Sequence, residues 1–141
     1  MEFLLYLSPQ GQQLIRDIIS ARFYIQENVG LCRNKQIFGY ADTPREFVVC
    51  TKNIKNGGWD MKYYISETVY HEAVHAAQIC NRNNPLGISA KYMPLSSNKL
   101  QDVRNSIVAT KNYNSGMKEH EAYYFEDKPT QVRYYVRKFC F

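Results

Sequence analysis

Nowhere in its 141 residues does this chain carry an apolar run near the roughly 20 residues that cross a bilayer. The opening stretch, MEFLLYLSPQ, has a short apolar segment without a basic flank, so it reads as neither signal peptide nor anchor. A cytoplasmic location and no membrane partner are expected. No run of five basic residues occurs either. The eighteen Lys and Arg are scattered, and a formal charge of +5 spread this way predicts no dedicated nucleic-acid tail. No two cysteines have CxxC spacing, which argues against a zinc ribbon. Cys32, Cys50, Cys80 and Cys140 are therefore expected to be free and buried in a reducing compartment. Their even number leaves disulfides open, with Cys32–Cys50 across a hairpin and Cys80–Cys140 between helices as the sensible pairs. The chain has no internal repeat, linker or low-complexity segment, and its length suits one domain, residues 1–141.

What is present is 45% hydrophobic, 22% charged and rich in aromatics, with twelve tyrosines, as in a soluble globular chain. Ser8-Pro9 reads as a helix cap followed by proline at the first turn. Leu14, Ile15, Ile18, Ile19, Arg22 and Ile25 extend that helix to about residue 28. KQIFGYA and EFVVCTKNI are β-like segments on either side of the turn DTPR, which predicts an antiparallel hairpin at about 35–41 and 46–53. Helical spacing resumes from Met61 to about Arg82 and stops at NRNNPLG. Residues 83–96 read as irregular. A helix follows from Ser97 or Asn98, carrying Leu100, Val103, Ile107 and Val108, and NYNSG is expected to break it. Further helices are expected at 115–127 and from Pro129, the latter with Val132, Tyr135, Val136 and Phe139 as its apolar stripe. The layout is α+β and dominated by helices, with a small antiparallel hairpin beside the long helix.

Histidine is scarce: three in the chain, two of them in ETVYHEAVHAAQIC. His71 and His75 stand at i and i+4 on one helix face, so both imidazoles can aim at one point. Neutral imidazole is a good ligand for Zn²⁺. Glu72, between them, is placed to take a proton from a water at the metal and pass it to a leaving amine. Apolar residues flank the motif, and buried paired histidines need partners that a metal would supply. Two ligands and a base still require a third ligand. A metzincin would continue HExxHxxGxxH, but Gln78 and Asn81 stand at the required Gly and His positions. The acidic segment KEHEAYYFED, residues 118–127, remains, with Glu119, Glu121 and His120 as candidates. Glu126 is available to hydrogen-bond a ligand histidine.

HExxH followed by Glu119-His-Glu-Ala122 resembles the gluzincin metallopeptidases, particularly their minimal single-domain forms, in which ExxA on a later helix supplies the third ligand. The resemblance implies a zincin-like domain, a Zn²⁺ cofactor and a peptide or protein substrate. It also implies His71, His75 and Glu119 as ligands with Glu72 as the base. These enzymes usually place Asp or Asn after the Ala, to orient a ligand histidine. Tyr123 stands there in this chain, and Glu121 stays open as the alternative ligand. Tyr113, Tyr123 and Tyr124 are candidates for stabilising the oxyanion. The expected function is zinc-dependent endopeptidase. The alternative is a non-catalytic module that uses zinc structurally to engage a protein partner.

Overall fold

The computed structural model describes residues 1–110 and 113–141, and the side chains of all of these except 109, 110 and 113. Helix α1 spans Pro9–Ser20, with Ser8 Oγ accepting from the Gly11 amide at 3.2 Å. It ends eight residues before the expected point. Arg22 takes φ +72° and turns the chain into strand β1, Tyr24–Glu27. The spacing of Ile18 and Ile25 fits a helix, but Phe23 is drawn into the core and Ile25 follows into the sheet. The Glu27 carboxylate then accepts from the Glu2 and Phe3 amides at 3.0 and 2.9 Å, fixing the N-terminal segment to the strand.

Strands β2 (Gly39–Asp42) and β3 (Glu46–Val49) form the expected antiparallel hairpin, with Tyr40 opposite Val48. β1 joins β3 in parallel, which the sequence did not disclose. The order is β1-β3-β2, so among the described residues one long side of β2 has no strand partner. β3 stops at Val49, earlier than expected, and residues Thr51–Asn56 form the short helix α2. Asn53 in that helix donates its amide to the carbonyls of Cys32, Lys35 and Ile37, holding the segment before β2 in place.

Helix α3, Met61–Cys80, is the spine of the molecule, capped by Asp60, whose Oδ1 accepts from the Tyr63 amide at 2.9 Å. Its Ile65, Val69, Ala73, Ala76 and Ala77 are fully buried. Its small residues let neighbours approach from several sides. Helix α4 spans Ser97–Thr110, α5 Tyr113–Phe125 and α6 Pro129–Cys140. α3 packs against α1, α5, α6 and the hairpin. Val132 and Val136 of α6 are buried in the same core. Arg133 ties α6 to α1 through the buried Asp17 at 2.7 Å. NYNSG, expected to break the helix, begins at residue 112, which lies outside the described residues, as does residue 111, and its remainder falls in α5. Its Gly116 lies within α5, where a Cβ would overlap the Ile107 side chain of α4.

The cysteines correct the expectation of free thiols. Cys32–Cys50 and Cys80–Cys140 are both disulfide-bonded, with Cα separations of 5.3 and 5.1 Å. The folding-back of residues 30–33 onto β3 and the alignment of α6 with α3 bring the pairs together. Cys80–Cys140 closes a loop of 60 residues. Replacing Cys140 with Ser is therefore expected to cost about 2–4 kcal/mol, measured as a lower denaturation midpoint without reductant. An unchanged midpoint would mean that this link does not contribute to stability. No helix among the described residues is long and apolar enough to cross a membrane.

Candidate metal centre

α3 brings His71 and His75 onto one face, and α5 lays Glu119 across them. Glu119 Oε1 lies 2.6 Å from His75 Nε2, and Oε2 lies 3.4 Å from His71 Nε2. One donor atom from each of the three residues falls within 4.8 Å of the others. A tetrahedral zinc with ligand bonds of about 2.0 Å separates its ligand atoms by roughly 3.3 Å, so the set needs little adjustment. Both outer ring nitrogens are occupied. His71 Nδ1 donates to Glu126 Oε2 at 2.8 Å, and His75 Nδ1 is 2.7 Å from Gln78 Oε1. Each imidazole thus turns Nε2 toward the shared point. This donor set, two imidazoles and a carboxylate with outer partners in place, fits a divalent zinc ion.

Burial opposes a charged imidazole at both histidines. Hydrogen bonds to Glu119 and Glu126 outweigh it at His71 and hold its pKa well above the ordinary value. The charge of Glu119 and the hydrogen bond to it raise the pKa of His75 above its ordinary value. Burial likewise opposes ionisation of Glu119, but the two imidazoles win and keep its carboxyl well below the usual range. Glu72 goes the other way. Burial lifts its pKa despite the nearby histidines.

Glu72 and the three cluster residues line a cleft of about 730 Å³, whose opposite wall is β2 and the residues before it. Gly39 lets the strand come this close. A Cβ there would stand 2.7 Å from Thr68 Cγ2 and 3.5 Å from Glu72 Cγ. Gly39→Ala is expected to push β2 off α3 and to destabilise the fold by about 1–3 kcal/mol, read by chemical denaturation. Stability equal to the parent would show that the wall is not held at this spacing.

Glu121, open as the alternative third ligand, is not in the cluster. It is fully buried on another side of α5. Its oxygens accept from the Leu86 amide at 2.9 and 2.8 Å and from Gln78 Nε2 at 2.8 Å. His120 is also elsewhere, donating Nε2 to the Met93 carbonyl at 2.8 Å. Glu126 does meet His71, and Lys99 of α4 holds its other oxygen at 3.0 Å. It supplies the orienting carboxylate that Tyr123 cannot. The Tyr123 ring instead stands edge-on to His71, centroids 4.7 Å apart, and burial raises its pKa so that the hydroxyl keeps its proton. Tyr124 does not line the cleft, and Lys128 sits over its ring. The side chain of Tyr113 lies outside the described residues. Gln78 and Lys99 escaped the sequence reading. A lone glutamine one turn beyond HExxH, amid Ala76, Ala77 and Ile79, was the available signal for the first. The second had none, because Lys99 reaches the site from another helix.

Comparison with curated proteins and with solved structures returns no match. Residues 3–141 match the profile of the family described as Domain of unknown function (DUF8637), and the chain belongs to that family.

Proposed function

We propose that this protein is a zinc-dependent endopeptidase of gluzincin type. The observation that carries the reading is the carboxylate of Glu119 within reach of both Nε2 atoms, at the floor of a cleft that also holds the buried Glu72. His71, His75 and Glu119 would hold the ion. Bound zinc polarises a peptide carbonyl and lowers the pKa of water. Glu72 would accept the proton from the attacking water and return it to the departing amine, and burial raises its pKa above the ordinary carboxylate value. Glu126 and Gln78 keep the two rings from turning. Tyr123 offers a protonated hydroxyl at the cleft wall for the developing oxyanion.

The free side of β2 supplies the substrate contact. As the edge strand of the sheet among the described residues, β2 suits an extended peptide added as a further strand. This places selectivity on backbone shape before side chains. A structural zinc site would favour four protein ligands and no base, so the three-ligand set and the buried Glu72 support the enzyme reading over the binding module. The two disulfides favour an oxidising compartment over the cytoplasm expected from the sequence. The test is cleavage of an unfolded protein such as denatured casein. Cleavage should require Zn²⁺, stop with a chelator and resume on adding metal back. Absence of cleavage by the zinc-loaded protein across several unfolded substrates would refute the reading.

A further inference from the structure

Gln78 lies on α3 three residues past His75 and is 1% exposed. Its amide has one consistent orientation. Nε2 faces Glu121 Oε1 at 2.8 Å and the Lys118 carbonyl at 3.0 Å. A carbonyl only accepts, and an ionised carboxylate does too, so this end must be the NH₂ group. Oε1 is then the acceptor, and the proton it accepts is the one on His75 Nδ1 at 2.7 Å. With Nδ1 protonated, the lone pair left for a metal is at Nε2, the atom beside Glu119. Glu121 is fixed in turn, because both its oxygens accept from the Leu86 amide. The irregular chain after α3 thereby buttresses the centre from behind.

The two histidines thus have unlike supports. His71 leans on a charged carboxylate that is itself paired with Lys99, whereas His75 leans on a neutral amide. We propose that Gln78 is a positioning residue, held by Glu121, that fixes His75 as the tautomer ligating through Nε2 and so sets metal affinity without touching the metal. The inference rests on His71, His75 and Glu119 binding the ion. It gives Glu121 a task that differs from that of Glu119 two residues earlier on the same helix.

The test compares Zn²⁺ and Co²⁺ affinity, by competition with a chromophoric chelator, in the full chain and its variants. Gln78→Leu removes the acceptor and is expected to weaken binding about 10–100-fold. The exchanged pair Gln78→Glu with Glu121→Gln restores an acceptor for His75 and an amide beside it, and should recover most of that loss. In the zinc-loaded parent, nuclear magnetic resonance should show a protected His75 Nδ1–H. That signal should persist in the exchanged pair and vanish in Gln78→Leu, which a merely structural role would not require. If Gln78→Leu does not fold, Gln78→Met, equally long and more pliant, takes its place. Parental affinity in the apolar variant, or an exchanged pair as weak as that variant, would overturn this inference and leave the metal site standing. A parent chain that binds neither ion would overturn both.

Discussion

Glu72→Gln is expected to keep its zinc and to lose about 10²–10⁴-fold in kcat/KM for peptide hydrolysis. The change preserves shape in a side chain that is only 6% exposed, so it opens no cavity beside Thr68 or Gly39. It deletes the proposed proton acceptor alone. The amide that replaces it has no basic lone pair at neutral pH and cannot return a proton to the amine. Metal affinity should not fall, because Glu72 is outside the three-residue cluster. The loss should therefore appear in kcat, measured under saturating zinc. Turnover at the parental rate would remove Glu72 from the mechanism.

Glu119→Ala should act on the other half of the site. Removing the proposed third ligand leaves two imidazoles, which bind zinc far more weakly than a closed three-residue set. The parent should gain about 4 kcal/mol of apparent stability at a zinc concentration a thousand times its Kd. Glu119→Ala should gain almost none at the same concentration. Thermal unfolding with and without zinc reads this directly. A variant whose melting temperature still rises as much as the parent's would show that the ion is held elsewhere. The metal-free comparison also matters. Glu119 bridges the two rings across helices α3 and α5, so the variant also loses a tie between them before any metal is added.

Much of this was readable from the chain because its signals are local. HExxH on a helix fixes which face carries the imidazoles, and the apolar residues around it predict burial. Ser8-Pro9, Met61 and Pro129 mark helix starts that stand within a residue of where they were expected. What failed depended on distant partners. Tyr24–Glu27 fits either a helix stripe or a strand, and only pairing with β3 settles it as strand. Glu119 and Glu121 are two residues apart on one helix, so neighbouring packing decides which meets the histidines. Here the Leu86 amide and Gln78 claim Glu121. The disulfides were legible as a pairing pattern, but the assumed compartment argued the wrong way. Lys99 could not be read at all, since nothing along the sequence links α4 to Glu126.

The most direct measurement is metal stoichiometry after dialysis against zinc, by elemental mass spectrometry, on the parent and on His71→Ala with His75→Ala. One zinc per parent chain and none in the doubly substituted chain is the predicted result. A parent chain without bound zinc, or a doubly substituted chain with as much zinc as the parent, would contradict it.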